Sequence, residues 1–454
     1  GNGGSFPDFS SAASVLNSFG IIGPTTFKVL PGTYQEKFRL ENIAGQGDDN
    51  PIVFESQSGN ASDVLIEYEQ ASGDTAMVVV ENVENITFRE LSFKAIDNPY
   101  DKIQILSVLY GQKILIEDCG FEGPLDKRTT RANIFTFASN DIIIRDNSFL
   151  GNGYGVLTRG VGSVKRVQGV RVEGNTFTNC NQMAIYMLFL DAPICHKNQI
   201  EHKAIFPALM LNRCVNNFAV TANSIRFAPQ HTEATQYRAA VRMLYCDGSS
   251  IGGQVTNNMI GVTAPDTTEL AIGLELFGGQ NISVLHNSIY ISGSSLHQAR
   301  YALSAWGSTS GVTLRNNIFS AGRGGLAYSL SGGVDADYNL LHGIGPFVAN
   351  IAGTAYSSVK DLQRLSAMEQ NSPSSPMSFL VDLHSAGAGA DGRAVPLPEV
   401  TTDIDGEPRD ANAPDIGADE YSPQTSGLNG NYVIGEGNDF PDLQSAGEAQ
   451  HLLG

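Results

Sequence analysis

One eight-residue phrase returns along this chain with a fixed pattern of apolar and polar positions. In residues 142–149 it reads Ile-Ile-Ile-Arg-Asp-Asn-Ser-Phe. Counting back from its closing residue, apolar side chains stand seven and five places earlier and Asn stands two places earlier. Such alternation predicts a strand that runs into a polar bend. The phrase occurs ten times, closing at Phe93, Phe121, Phe149, Phe177, Ile200, Ile225, Ile260, Ile289, Phe319 and Leu341, with spacings of 28, 28, 28, 23, 25, 35, 29, 30 and 22 residues. Seven places before each stands Ile86, Ile114, Ile142, Val170, Pro193, Phe218, Gly253, Ile282, Val312 or Val334. Five places before stands Phe88, Ile116, Ile144, Val172, Cys195, Val220, Val255, Val284, Leu314 or Ala336. These three columns predict inward-facing positions.

A fourth column is polar. From the third copy onward it holds Asn147, Asn175, Asn198, Asn223, Asn258, Asn287, Asn317 and Asn339, with Leu91 and Cys119 in the two earlier slots. Asn tolerates the left-handed backbone of a bend, and stacked side-chain amides can hydrogen-bond from one copy to the next. A repeat of this length cannot bury its own apolar face, so copies must stack. The expected fold is all-β: a parallel β-helix of about ten coils with an Asn ladder, one rung per coil. A second strand precedes the phrase in each coil, at 133–138, 155–159, 184–191, 208–213, 239–246, 271–277, 301–306 and 325–330, predicting a second sheet. Polar loops are expected at 123–131 and 226–237. Loops are where solenoids commonly bind.

The ends of the repeat region carry further motifs. Residues 1–20 predict a glycine-rich lead into a short helix, with Asp8 or Ser10 as its cap and Gly20 at its end. Strands follow at 25–30, 38–40 and 51–56, with the turn Pro31-Gly32-Thr33-Tyr34 between the first two. Helix, strand, Pro-Gly-Thr-Tyr and then Asn50-Pro51-Ile52-Val53-Phe54-Glu55-Ser56 closely resemble the opening of right-handed parallel β-helix proteins of the pectate-lyase-like superfamily. The resemblance implies that the short helix caps the first coil. Beyond residue 342 the phrase stops, and a short helix is expected around 359–368. Asp403-Ile404-Asp405-Gly406, Arg409 and Pro414-Asp415-Ile416-Gly417-Ala418-Asp419-Glu420-Tyr421 resemble the closing segment of secreted bacterial β-helix proteins, especially those of the Bacteroidota. The expected layout is a cap and first coil at 1–56, a solenoid body at 57–341, a closing segment at 342–425, and at 426–454 a linker with the start of a further copy.

That last expectation rests on an internal repeat. Laid without gaps on residues 1–20, residues 435–454 are identical at eight positions, including Phe6-Pro7-Asp8 against Phe440-Pro441-Asp442. The chain therefore reads as one module plus the beginning of the next in a tandem array.

Composition narrows the partners. With 28 basic and 47 acidic side chains, the net charge of −19 argues against nucleic acid. Forty-nine glycines and one Trp suit a turn-rich β protein. No apolar run is long enough to span a membrane as a helix. Cys119, Cys180, Cys195, Cys214 and Cys246 have no metal-ligand spacing; they read as small buried thiols, with one inter-coil disulfide as the alternative. No cofactor is expected. Calcium is the one ion left open, through acidic pairs such as Asp48 with Asp49 or Asp403 with Asp405, although solvated loops are the simpler explanation.

Enzymes that resemble this fold usually act on polysaccharides, with acidic, basic and Ca²⁺-binding side chains on the outer face of one sheet near the middle coils. On that sheet stand Arg159, Asp191, Arg213, Arg238, Arg242, Asp247 and Glu275. In an enzyme, Arg242 would neutralise a substrate carboxylate, Glu275 would abstract a proton, and Arg213 and Arg159 would grip the chain. An ion-pair ladder is the simpler explanation. The paired aspartates and Gly-His-Gly of polygalacturonases are absent, as are the Asp-Pro-His-Asp of alginate epimerases and the Arg-x-Pro-x-x-Arg of pectate lyases. The eight His residues share no metal spacing, and His286 is expected on the surface beside Asn287. Tyr186, Tyr245, Phe277 and Trp306 are candidates for a sugar-stacking stripe, or for ordinary packing.

Two readings follow. The favoured one is a structural or adhesive module of a long extracellular or cell-surface protein, such as a filament, hook-like appendage or adhesin. Its partners would be neighbouring modules, other copies, glycans or cell surfaces. The alternative is a polysaccharide lyase or glycoside hydrolase, resting on fold analogy alone.

Overall fold

The computed structural model describes residues 5–69, 74–96, 104–125, 131–229, 238–249, 252–263, 270–292, 300–322, 324–373, 384, 389–421 and 433. The chain divides into two compact units, Gly1–Phe218 and Ala219–Gly454.

The first unit opens with α1 (Phe9–Phe19), whose buried Phe9, Ala12, Ala13 and Leu16 follow the spacing of a helix with one apolar face. Asp8 caps it by accepting the Ser11 N–H at 2.7 Å. The Glu36 carboxylate takes the N–H groups of Phe9 and Ser10 at 2.9 and 2.8 Å. Phe9 lies stacked on Phe38 at 5.1 Å and edge-on to Tyr34 at 5.3 Å, so the helix closes the first coil with aromatic contact. Coils then follow in three parallel sheets, each strand pairing with its counterpart one coil on.

The apolar columns are the registers of these sheets. Ile86, Ile114 and Ile142 are aligned, as are Phe88, Ile116 and Ile144. Phe93, Phe121, Phe149 and Phe177 align likewise, and their rings stack at 5.0, 5.1 and 4.6 Å. The phrase proves to be two strands rather than one. In its best copy Asn140–Arg145 lies in the first sheet and Ser148–Leu150 in the second, with the bend between them. The strands preceding the phrase, such as Ala132–Phe137 and Tyr154–Arg159, make the third.

The bend differs from expectation in an informative way. Its left-handed residue is not the ladder Asn but the one before it: Asp118 (φ 52°), Asp146 (56°), Gly174 (65°) and Lys197 (52°) in this unit. Asn is therefore needed for its amide, not for its backbone. Asn147 donates through its backbone N–H and its Nδ2 to Asn175 Oδ1, both at 3.0 Å, and through Nδ2 to the Ile116 carbonyl at 2.9 Å. Asn175 repeats this on Asn198 and Ile144. Cys119 starts the ladder by donating its N–H to Asn147 Oδ1 at 2.9 Å.

A column of alternating charge runs outside the first sheet in the same register. Glu55, Arg89, Glu117, Arg145 and Glu173 succeed one another coil by coil. Arg89 Nε lies 2.5 Å and Arg145 Nε 2.7 Å from the two Glu117 oxygens. A one-coil slip would set like charges side by side, so the column fixes register as well as adding stability.

Two coils precede the ten that carry the phrase. Their columns are Thr25, Phe27 and Tyr34, then Ile52, Phe54 and Ile66. The bend is longer here, seven and twelve residues from second column to third instead of five. A fixed-spacing pattern passes over them.

The second unit contains five coils built alike, and its third sheet continues through Ala349–Ile351 before closing in an antiparallel pair with Thr354–Tyr356. Asn223, Asn258, Asn287, Asn317 and Asn339 are all fully buried, and each of the first four donates backbone N–H and Nδ2 to the Oδ1 of the next at 2.9–3.0 Å. The left-handed positions are again one residue earlier: Ala222, Asn257, His286, Asn316 and Tyr338. Helix α2 (Val359–Ser366) follows, capped by Ser358. Beyond it Glu369 ends the ladder: Asn339 Nδ2 donates to both its oxygens, at 3.1 and 3.2 Å.

The closing segment does not simply follow the last coil; it lies back across the outer face of the second sheet. Ala390, Ala394, Ile416 and Ala418 pack on Met259, Ile318 and Leu340. Arg409 reaches the Asn257 side chain at 3.0 Å and the Gly417 carbonyl at 2.9 Å, while Asn316 exchanges hydrogen bonds with Val395. This cover corrects the expected surface position of His286. His286 is fully buried, bonded to Asn316 Nδ2 at 2.8 Å and to the Gly417 carbonyl at 3.3 Å. Burial, with the nearby Arg409 charge, pulls its imidazole down to about 3.

None of the five cysteines is in a disulfide, and all are buried. Burial pushes the Cys119 and Cys180 thiols up to about 12, so the reactive thiolate is suppressed. A soluble disulfide reagent is expected to label none of the five in the native protein and all of them after denaturation. Labelling of any one at the rate of a free thiol would contradict this burial.

The internal repeat at 435–454 falls outside the described residues, as do 126–130 and 230–237 of the two polar loops.

Candidate functional site

In the second unit, three third-sheet strands bring the expected charged pair together. Arg238–Leu244, Ala271–Phe277 and Arg300–Trp306 run parallel, with Arg242, Glu275 and Ser304 in one register and Leu244, Phe277 and Trp306 in another. Leu274 and Leu276 are fully buried in the coil interior, and strand alternation turns Glu275 to the opposite face. Glu275 is nevertheless 0% exposed.

Its two oxygens face different neighbours. Trp306 donates its Nε1–H to Oε1 at 2.7 Å, and Arg242 Nε forms an ion pair with Oε2 at 2.7 Å. Burial pushes the Glu275 carboxyl up to about 7, with the Trp306 hydrogen bond opposing. Burial likewise pulls Arg242 below its usual range. Beside the pair runs an aromatic stripe. Tyr245 meets Phe277 edge to face at 5.1 Å, and Phe277 meets Trp306 edge to face at 4.6 Å. Tyr245 is 50% and Trp306 43% exposed, so the stripe offers apolar ring surface to a ligand.

The other candidates lie elsewhere. In the first unit, Arg159 is exposed at the end of Tyr154–Arg159, and the exposed Arg213 stands 5.6 Å over the Phe189 ring. Asp191 accepts from Gln168 Nε2 at 3.0 Å and from Asn216 Nδ2. Tyr186 stacks on Tyr154 in this unit, at 6.2 Å. In the second unit, Asp247 accepts from the Ser249 N–H at 2.8 Å and from Asn281 Nδ2 at 3.1 Å, a turn-closing role. The Arg238 side chain falls outside the described residues. Glu275 is the one carboxylate carried by the three strands that form the site.

Of the acidic pairs considered for calcium, Asp48 pairs with Lys113. Asp403 spends one oxygen on three backbone N–H groups, those of Asp405, Gly406 and Glu407. Among the described residues one group of ligand-type atoms converges: His384, Asp405 and Asp419, in the closing segment. Spacing could not reveal it, since its members are 21 and 14 residues apart in a region without the repeat.

Comparison with known proteins places the architecture. A family model described as a right handed beta helix region matches residues 52–225. No curated protein matches the chain. Solved structures similar to it include the Dettilon tailspike protein, at 12% identity over 72% of this chain, 62% of that one and a TM-score of 0.37. Pectate lyase Pel9A is similar at 12% identity over 91% of each chain, TM-score 0.38. The A-module of Azotobacter vinelandii mannuronan C-5 epimerase AlgE4 is similar at 13% identity over 77% of this chain and 94% of that one, TM-score 0.33. The chain thus spans under two thirds of the tailspike's length. With parallel strands pairing coil by coil in three sheets and a family match over the early coils, the chain is a right-handed parallel β-helix.

Proposed function

We propose that the chain is a structural and adhesive module of an extracellular or cell-surface protein, and that the Tyr245–Phe277–Trp306 stripe is its contact for glycan. One observation carries the reading: two exposed aromatics, Tyr245 and Trp306, are held on the coils either side of Phe277, beside a carboxylate already engaged by Trp306 and Arg242. In this reading Glu275 orients the indole rather than reacting. Rigid aromatic surface binds the apolar faces of sugar rings at low entropic cost.

The expected result is retention of the protein on an extracellular polysaccharide, with Trp306→Ala and Tyr245→Ala each weakening binding at least about tenfold, or ~1.4 kcal/mol. Unchanged binding by both variants would remove the stripe from the account. The repeat of residues 1–20 at 435–454 supports tandem modules, of the kind whose closing segments this one resembles. An intact mass of the native protein many times 48.4 kDa is then expected, and a mass near one module would refute the array.

A lyase or hydrolase is the second reading, favoured by one feature. A carboxyl poised near 7 beside a guanidinium has the proton affinity of a general base at neutral pH.

A further inference from the structure

The closing segment gathers one imidazole and two carboxylates that the fold alone does not require. Ligand atoms of His384, Asp405 and Asp419 all lie within 4.8 Å of one another, with His384 Nε2 3.0 Å from Asp405 Oδ2. Asp419 is only 8% exposed, yet among the described residues no donor hydrogen-bonds to its carboxylate. A carboxylate so placed without hydrogen bonds is costly, and protonation or a bound cation relieves the cost.

A neighbouring side chain organises the group. Asp403 Oδ1 accepts the N–H groups of Asp405, Gly406 and Glu407 at 3.0, 2.9 and 2.8 Å, fixing the turn that carries Asp405. Its other oxygen takes the Glu420 N–H at 3.1 Å, fixing the residue next to Asp419. The Ile404 N–H donates to the Ala418 carbonyl at 2.9 Å and ties the two stretches together. One carboxylate therefore holds both ligand-bearing loops, as outer-shell residues do in metal sites.

We propose that His384, Asp405 and Asp419 form a site for a divalent first-row transition-metal cation that fastens the closing segment. The imidazole decides the class: Ca²⁺ and Mg²⁺ prefer all-oxygen sets, whereas mixed nitrogen and oxygen donors suit Zn²⁺ and its neighbours. Tetrahedral bonds of about 2.0–2.2 Å set donors roughly 3.3–3.6 Å apart, so binding draws the more widely separated atoms of this group together. The bound cation offsets two negative charges in a segment that already carries Asp403, Asp415 and Glu420.

The test uses the full chain, free of any affinity tag, stripped with chelator and then equilibrated with Zn²⁺. Mass spectrometry of bound metal is expected to find one Zn²⁺ per chain, titration calorimetry to find a matching single site, and melting to rise by roughly 2 °C or more. Mg²⁺ and Ca²⁺ at the same concentration should produce neither effect. Asp419→Asn and the partly exposed His384→Gln should each weaken Zn²⁺ binding at least tenfold, while His196→Gln leaves it unchanged. Absence of bound Zn²⁺ in the wild type, wild-type binding by both site variants, or equal binding of Ca²⁺ would each overturn the assignment.

Discussion

Replacing Asn287 by Ala is expected to destabilise the second unit by about 3–5 kcal/mol, an unusually large effect for one polar side chain. Asn287 is fully buried, and its Oδ1 accepts two donors from Asn258, at 3.0 and 2.9 Å. Its Nδ2 donates to the Val255 and Leu285 carbonyls at 2.8 and 3.0 Å and to Asn317 Oδ1 at 2.9 Å. Truncation leaves several of these groups buried without water, and each costs about 1–3 kcal/mol. Because coils interact with their nearest neighbours, the loss should be local. Hydrogen exchange should therefore quicken most around residues 255–258 and 285–317, alongside a lower urea midpoint. A change under about 1 kcal/mol would show that the ladder is decoration.

The second large effect concerns pH. Glu369 is fully buried where the ladder ends, bonded by Asn339, by Tyr328 OH at 3.2 Å and by Ser372. Burial pushes its carboxyl up to about 7, with those hydrogen bonds opposing. The folded value is above the unfolded one, near 4.5, so the folded chain holds the proton more tightly. The resulting stability is complete below about 4.5 and is lost as pH rises through 7. Glu369→Gln cannot titrate. Between pH 5 and 8 the wild type should lose roughly 2–3 kcal/mol relative to this variant. Glu275, Asp415 and Asp419, also raised by burial, act in the same direction, and the lowered His202 and His286 act oppositely below 6.5. These groups are common to both proteins and cancel in the comparison. Parallel pH profiles for the two would refute the buried-acid account.

What the sequence revealed follows from where the repeat is strict. Ile114, Ile116 and Phe121 recur at constant offsets because each must meet its counterpart one coil away, so periodicity alone locates the core. Ile52, Phe54 and Ile66 do the same work, but a longer bend separates them and hides them from a fixed spacing. The alternation of Glu55, Arg89, Glu117, Arg145 and Glu173 was open to view in the same way and needed only the column after the second apolar one to be read. Asn287 was legible as a rung, whereas its left-handed neighbour His286 was not. The positive-φ slot accepts Asp, Gly, Lys, Ala, Asn, His or Tyr and so leaves no composition signal.

The site was legible only in part. Arg242 and Glu275 share a register, which strand alternation supplies. The complete burial of Glu275 depends on what covers that face, which alternation does not encode. His384, Asp405 and Asp419 come together through a segment that folds back by tertiary contacts with Asn257, Asn316 and Ser288, beyond the reach of any local pattern.

The claim that Glu275 holds Trp306 rather than reacting is tested most directly by a time course of the wild type and Glu275→Gln with polysaccharides that the protein retains, following unsaturated and reducing ends. The account predicts retention with no product from either protein. Product that accumulates with the wild type and disappears with Glu275→Gln would contradict it and make the carboxylate a catalytic base.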